Sequence, residues 1–142
     1  MRDLKRISFL VLTALMVAAM SARGEPTAES SGSVPPVYTV KDGNQVDAKT
    51  LAGWRTWRSL ACDRCHGAAQ EGLVGPSLLV SLKTRTKEEF RAALLNGRVE
   101  KGMPAYSSSK LATENWEGLY AYLKGRSDGR IQAGRLSALN NN

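Results

Sequence analysis

The stretch "LACDRCHGAA", residues 60–69, holds both cysteines of the 142-residue chain and its only histidine. Two residues separate Cys62 from Cys65, and His66 follows at once. Thiols at this spacing can each form a thioether with one vinyl group of a haem, and the next residue then lies beneath the iron. The pattern therefore predicts covalent attachment of haem c through Cys62 and Cys65, with His66 as an axial ligand.

Other uses of the cysteines remain open at this stage. A zinc site takes four ligands, and two cysteines with one histidine leave a place for a carboxylate or a partner chain. A redox-active pair takes its low thiol pKa from a helix N-terminus, whereas Cys62 and Cys65 follow a predicted helix. A structural disulfide across so short a loop would stabilise the fold little. Haem attachment is the favoured interpretation.

The sixth ligand of the iron can be sought among the methionines. Met1, Met16 and Met20 fall in the N-terminal segment, so Met103 is the only methionine in the rest of the chain. It lies in "KGMPAY", residues 101–106, where a preceding glycine and a following proline would fix the direction of a loop side chain. Met103 either fills a gap in the core or coordinates an electron-transfer haem. We favour coordination.

The N-terminus has the three-part layout of a secretory signal peptide. A basic start precedes a mostly apolar run, Ile7 to Met20, and small residues follow. An uncleaved membrane tether is the alternative, but a membrane-spanning helix takes about 20 residues. We predict a signal peptide over residues 1–24, cleaved near 21–24, and export to the periplasm without stable membrane insertion.

The rest of the chain divides into a flexible lead-in at 25–36, one domain at 37–139 and a frayed tail at 140–142. Its length suits one small domain with one core. Without the signal peptide the chain keeps 16 basic and 12 acidic residues, a net charge of +4. This mild excess does not indicate nucleic-acid binding, and we expect a monomer.

Apolar spacing predicts an all-α fold with three main helices. The first follows Asp47 as its N-cap, and the second begins at a capping box formed by Thr86 and Glu89. The third is predicted to begin after Thr113 and to end at Gly125.

The segments between and around these helices are long. A small hairpin or an extended segment is predicted at residues 37–47, and a polar surface loop at 126–142. The loops at 67–85 and 98–112 are long for so small a domain. They indicate that a large apolar cofactor completes the core between them.

Four motifs in order, "CDRCHG", "GPSL" at 75–78, "GMPAY" at 102–106 and "LYAYL" at 119–123, resemble class I c-type cytochromes over residues 47–124. The resemblance implies that fold, with about three main helices around one covalently attached haem. It implies that the Pro76 carbonyl orients His66, although Gly75 and Pro76 can also simply form a turn. It also implies that Pro76, Leu78 and Tyr106 belong to the haem pocket.

The resemblance further implies that the first and last helices cross at a small residue, Gly53, with aromatic residues facing each other across the crossing. Trp57 on the first helix would meet Leu119 and Tyr122 on the last. This sequence has one more residue than the family pattern between Trp57 and Cys62, which leaves the register of the crossing open.

A narrower resemblance lies outside the haem motifs. Residues 38–57 and 122–136 are similar to cytochromes that accept electrons from quinoprotein alcohol dehydrogenases, methanol dehydrogenases included, which carry pyrroloquinoline quinone. It implies a periplasmic single-electron carrier, not an enzyme, that passes electrons toward a terminal oxidase. A general carrier, a permanent haem subunit of another redox complex, and a peroxidase or gas sensor with a labile methionine remain alternatives.

The charge is unevenly distributed along the chain. Residues 83–110 carry seven basic and three acidic side chains. These residues flank the methionine loop, so they either steer an acidic redox partner or form an ordinary solvated face. The candidate docking residues are Lys83, Arg85, Lys87, Arg98 and Lys101.

Overall fold

The computed structural model of the protein describes residues 35–140. The predicted signal peptide, most of the predicted lead-in and residues 141–142 lie outside the described residues. Within the described range, no helix has the length and apolar character needed to cross a membrane.

The described part of the chain forms five α-helices and a small three-stranded sheet. Strands β1 and β2 are an antiparallel hairpin, and β3 joins β2 in parallel. The predicted all-α class with a small N-terminal hairpin is confirmed. In chain order the elements are β1 Val40–Lys41, β2 Gln45–Val46, α1 Ala48–Ser59, α2 Asp63–His66, α3 Leu78–Ser81, α4 Lys87–Asn96, a 3-10 helix at Val99–Lys101, α5 Lys110–Ser127 and β3 Ser137–Ala138.

Asp47 joins the hairpin to the first helix. One carboxylate oxygen accepts from the Thr50 backbone N–H at 2.9 Å, which caps α1 as predicted. The other accepts from the Thr39 N–H at 2.6 Å and the Thr50 hydroxyl at 2.7 Å. Burial alone would raise the pKa of Asp47, but these hydrogen bonds outweigh it and lower the pKa. The ionised carboxylate therefore stabilises both elements.

Helices α1 and α5 cross with their backbones in contact. A Cβ atom placed on Gly53 would lie 1.9 Å from the Gly118 carbonyl oxygen, so only glycine fits there. Trp57 packs against Tyr122 beside the crossing, with ring centroids 6.4 Å apart. The predicted crossing at Gly53 is confirmed, and Gly118 is its second glycine.

Helix α4 packs against α5 and closes the core. Its capping box, formed by Thr86 and Glu89, is as predicted, and its C-cap is Gly97. Phe90 and Leu94 are buried, and the Phe90 ring lies 5.4 Å from that of Tyr120. The face of α4 that carries these residues fixes its position over α5.

The predicted limits of the last helix were wrong at both ends. Helix α5 begins one turn earlier, at Lys110, because Ser109 caps it by accepting from the Ala112 N–H. Thr113 lies inside the helix and its hydroxyl donates to the Ser109 carbonyl. Gly125 does not end the helix either: a Cβ atom there would lie 2.4 Å from Cδ1 of Ile131, so glycine makes room for the returning chain.

The segment after α5 was predicted as a polar surface loop, and this is also wrong. Ile131 and Leu136 are buried in the main core. The segment then pairs with the hairpin, with the Gln132 N–H donating to the Gly43 carbonyl at 2.7 Å and the Leu139 N–H to the Val46 carbonyl at 2.9 Å. Two apolar residues in a glycine-containing stretch were enough to fold it back.

Candidate functional site

A cavity of about 490 Å³ lies between the two long loops. Ligand pockets commonly have volumes of about 300–1,000 Å³ and mostly apolar walls. The walls bring together residues from α1, α4, α5 and both loops, and they include Cys62, Cys65, His66 and Met103. The apolar lining includes Trp57, Val74, Pro76, Leu78, Leu82, Phe90, Leu94, Leu119 and Leu123.

A tight turn delivers the chain from α1 to the cysteines. The Ala61 N–H donates to the Arg58 carbonyl and the Cys62 N–H to the Trp57 carbonyl, the paired bonds of a Schellman C-cap. Ala61 holds the left-handed position of this motif at φ 50°, where glycine is usual. The residues between Trp57 and Cys62 form the turn, after the Gly53 crossing, so the additional residue does not disturb the crossing.

The two cysteines differ in exposure and are not joined by a disulfide. Cys62 is half-buried on the cavity wall and Cys65 is exposed. Burial, and after it the charge of Asp63, raises the pKa of Cys62 to about 11. A free Cys62 thiol would therefore be neutral at neutral pH in this apolar setting.

The ring of His66 is held in one orientation. Its Nδ1 lies 2.9 Å from the Pro76 carbonyl oxygen, so Nδ1–H donates to that carbonyl and the Nε2 lone pair is left for a metal. Gly75 leaves no room for a side chain beside the ring, since a Cβ atom there would lie 2.9 Å from Cε1 of His66. Trp57 packs on the same ring at 6.4 Å between centroids.

Met103 lies in a loop that is closed by backbone bonds. The Arg98 N–H donates to the Met103 carbonyl at 2.8 Å, and the Met103 N–H donates back to the Arg98 carbonyl at 3.1 Å. Gly102 takes a left-handed conformation just before it. The Tyr106 N–H then joins the loop to α4 through the Leu94 carbonyl at 3.2 Å. Met103 therefore lies on the cavity wall formed by this second loop.

A buried polar pair, Gln70 and Arg126, was not found from the sequence. The Gln70 side chain is 1% exposed and lies beneath the loop that follows His66. Its Oε1 accepts from Nε of Arg126 at 2.6 Å, and its Nε2 donates to the hydroxyl of Tyr122 at 3.2 Å. Arg126 also donates to the carbonyls of Ala69 and Ile131. Nothing local in the sequence signals partners more than 50 positions apart.

The structure separates the predicted docking residues into two sets. Arg85, Arg98 and Lys101 line the cavity, as do the predicted pocket residues Pro76, Leu78 and Tyr106. No carboxylate of residues 35–140 lies within ion-pair distance of these three basic side chains. Lys83 and Lys87 do not line the cavity, and Lys87 is paired with Glu117 at 2.7 Å.

The residues of the cavity fit a haem. Two thiols, one oriented imidazole and one thioether face a mainly apolar space, the set that a covalently bound, six-coordinate haem takes. A zinc site does not assemble, because within the described part of the chain no three His, Cys, Asp or Glu side chains cluster for a metal ion.

Known proteins similar to this chain are cytochromes. A family model described as cytochrome C oxidase, cbb3-type, subunit III matches residues 48–123. Cytochrome c-555 of Methylococcus capsulatus is 41% identical over 92 residues, 64% of this chain and 73% of that protein. Cytochrome c-553I of Paracoccus denitrificans is 31% identical over 107 residues, 70% of this chain but only 47% of that protein.

A solved structure extends the likeness. The crystal structure of c-type cytochrome XoxG from Methylobacterium extorquens AM1 matches with a TM-score of 0.65 at 30% identity, covering 74% of this chain and 67% of that one. The fold and the site define a class I c-type cytochrome, and the chain belongs to the cytochrome c family whose model matches it. It carries one covalently bound haem c and transfers electrons between redox proteins rather than acting as an enzyme.

Proposed function

We propose that Cys62 and Cys65 hold the haem, that His66 and Met103 are its axial ligands, and that Pro76, Leu78 and Tyr106 belong to its pocket. The haem supplies a one-electron Fe(II)/Fe(III) couple. What carries this proposal is the convergence of His66 and Met103, 37 positions apart in the sequence, on one cavity. A thioether ligand and an apolar pocket both favour Fe(II) and raise the potential. With both axial places taken, the protein cycles electrons without binding small molecules.

We further propose that the electron donor is a quinoprotein alcohol dehydrogenase, methanol dehydrogenase included. The support lies in residues 38–57 and 122–136, where the narrower resemblance was found. The two segments are in contact, because the Gln132 N–H donates to the Gly43 carbonyl. Strand β3, which directly follows the second segment, pairs with β2 of the first. The likeness to XoxG also covers more of the chain than the residues 48–123 of the family model.

We propose that the protein acts in the periplasm as a monomer. It would form short-lived complexes with its partners and pass the electrons on toward a terminal oxidase. The sequence pattern of residues 1–24 supports export. Covalent attachment suits an exported protein, since its cofactor cannot diffuse away. Redox encounters use small contact areas, below about 1,200 Å², which a domain of this size readily supplies.

The docking face we propose surrounds the mouth of the cavity. Its cationic part is Arg85, Arg98 and Lys101, which line the cavity and lack carboxylate partners among residues 35–140. Its apolar part is Leu73 and Val74, which are 74% and 84% exposed. A partner with an acidic rim around an apolar patch would complement both.

Stopped-flow mixing tests the donor. The oxidised cytochrome is mixed with a reduced quinoprotein methanol dehydrogenase, and haem reduction is followed by absorbance. We expect fast reduction that slows as salt is added, because steering charges are screened over about 8–10 Å. A reduced flavin-dependent dehydrogenase is the matched control. Reduction no faster than with this control would overturn the donor assignment but leave the carrier function intact.

Charge variants test the docking face in the same assay. Lys101→Gln should slow reduction several-fold and weaken its salt dependence, whereas Lys83→Gln, outside the cavity lining, should change little. Leu73→Ser with Val74→Ser should slow reduction at every salt concentration. Val80→Ser is the control for exposed apolar surface, since Val80 is 66% exposed but does not line the cavity. Equal effects of test and control variants would contradict this docking face.

A further inference from the structure

Several hydrogen bonds of the loop that follows His66 converge on one residue, Gln70. Its carbonyl oxygen accepts the N–H of Leu78 at 2.9 Å and that of Leu79 at 3.4 Å, so the loop closes on it. The hydroxyl of Ser77 lies 3.4 Å from the same oxygen. Pro76 lies between Gln70 and Leu78 in the sequence, and its carbonyl accepts a hydrogen bond from the Nδ1–H of His66. The position of that carbonyl therefore depends on where Gln70 is held.

The side chain of Gln70 holds it firmly to helix α5. The amide N–H groups donate to the Tyr122 hydroxyl and the Ala68 carbonyl, each at 3.2 Å, and the amide oxygen accepts from Arg126. A buried amide with all these partners has one favourable orientation. Losing them would leave polar groups buried without partners, which costs about 1–3 kcal/mol for each group.

Gln70 keeps an unfavourable backbone conformation to make these bonds. Its φ of 64° lies in the left-handed region, which costs a residue with a side chain on the order of 1 kcal/mol. A glycine would avoid this cost but would have no amide to offer. Because Gln70 retains both the strained backbone and the buried amide, its bonds to α5 and to the loop must outweigh the strain.

The same amide is also connected to His66 through two aromatic side chains. Tyr122, which accepts from Gln70, packs against Trp57 at 6.4 Å between ring centroids, and Trp57 packs against the His66 ring at 6.4 Å. The hydrogen-bond acceptor of His66 and its aromatic neighbour are thus both connected to Gln70.

We propose that Gln70 is the positioning residue of the axial histidine, acting through the Pro76 carbonyl, with Arg126 and Tyr122 as its supports. This inference rests on the proposed ligation by His66 and is independent of the electron donor. A hydrogen bond from the other ring nitrogen makes a histidine ligand more basic and fixes its orientation. A more basic ligand favours Fe(III), so loosening Gln70 should weaken this hydrogen bond and make the reduction potential more positive.

The test uses the holoprotein and two readouts, each compared with a control variant that loses stability at a place remote from His66. The first is solvent exchange of the His66 Nδ1 proton, followed by NMR in the reduced, diamagnetic protein, where the haem ring current displaces its signal. The second is the reduction potential. In Gln70→Leu, which keeps bulk but loses the amide, we expect exchange to accelerate by about ten-fold or more and the potential to rise.

Matched variants separate positioning from stability. Val46→Ala removes buried apolar volume from the hairpin, which does not line the cavity. It should lower the melting temperature and so shows how far lost stability alone moves each readout. Gln70→Glu keeps an acceptor for Arg126 and should fall between wild type and Gln70→Leu. Tyr122→Phe removes one amide partner and should shift both readouts slightly in the same direction, which keeps the inference testable if Gln70→Leu does not fold.

The outcomes distinguish the two proposals. If the wild-type protein has no displaced His66 Nδ1 signal, ligation by His66 is wrong and the inference falls with it. If the signal is present but Gln70→Leu or, where that variant does not fold, Tyr122→Phe leaves both readouts at the values of Val46→Ala, the inference is wrong and ligation stands.

Discussion

The two loops that carry the proposed iron ligands are held in different ways. The His66 side is joined to α5 by the side chains of Gln70 and Arg126, and its backbone bonds return to Cys65 and His66. The loop that carries Met103 has backbone hydrogen bonds within itself and to α4. Within the described structure, no side chain of residues 97–108 forms a hydrogen bond. One ligand is thus anchored through the core, while the other depends on a local turn. The Met103 side should therefore open first.

Removing the ligand of the weaker loop should have the largest effect. Met103→Ala takes away the proposed thioether and lowers the reduction potential on the order of 0.2 V, since axial ligands set potentials across about 0.8 V among haem proteins. The reduced variant should also bind carbon monoxide, which the wild type should not. Potentiometry and absorption spectra of both proteins measure this, and an unchanged spectrum would refute ligation by Met103.

One glycine in each loop sharpens the comparison. In Gly75→Ala the new methyl would lie 2.9 Å from the His66 ring, and the clamped loop cannot move aside, so we expect a loss of about 2–3 kcal/mol and a shifted haem spectrum. In Gly102→Ala the methyl meets no protein atom within 4 Å, and the φ of 82° is strained, for a loss of about 1 kcal/mol. Denaturant titration compares them, and equal losses would count against a difference in rigidity.

A substitution at Asp47 tests how the N-cap of α1, which is remote from both loops, contributes to the stability of the fold. Asp47→Ala removes the cap of α1 and should cost about 1–2 kcal/mol at pH 7 with no change in the haem spectrum. Because the pKa of Asp47 is lowered in the folded state, its contribution is complete above the unfolded pKa of about 3.9 and is lost as pH falls through the lower folded value. The difference in the free energy of unfolding between variant and wild type should therefore be smaller at pH 3 than at pH 7. A constant difference would show that the charge is not responsible.

The smallest expected effect is a gain in the stability of the folded protein. Ala61 occupies the left-handed position of the turn before Cys62, where glycine carries no steric cost. Ala61→Gly should stabilise the protein by about 0.5–1 kcal/mol, seen as a higher melting temperature with an unchanged spectrum. Ala52→Gly, within α1, is the control and should destabilise by a similar amount. If both variants lose stability, the turn does not strain Ala61.

Sequence reasoning worked where the signal was local. The cap of α1 at Asp47 and the capping box at Thr86 each depend on residues three positions apart. The hairpin was predicted from its Asp-Gly turn. The motif at Cys62 predicts the cofactor because the chemistry requires adjacent residues, and Met103 could be named only because no other methionine competed.

It failed where two local signals competed or where partners were distant. Ser109 and Thr113 are both good N-caps, and packing of the added turn decided for Ser109. Gly125 has the character of a helix end, but Ile131 packs where its side chain would be. Gln70 is an ordinary polar residue until its contacts with Tyr122 and Arg126 are known. The sequence predicted Lys87 as an unpaired surface charge, whereas in the structure Lys87 forms an ion pair with Glu117.

The pairing of β2 with β3 brings the two boundaries of the domain to one place. Val46 faces Val40 on one side and Ala138 on the other, and none of the three lines the cavity. The two boundaries of the described domain therefore lie close together, so a short peptide could join residues near Val40 and Ala138 and a circular permutant could open elsewhere. A tether fused at either boundary would leave from the same end of the sheet. The cytochrome could then be attached to an electrode or a partner enzyme through residues that do not line the cavity.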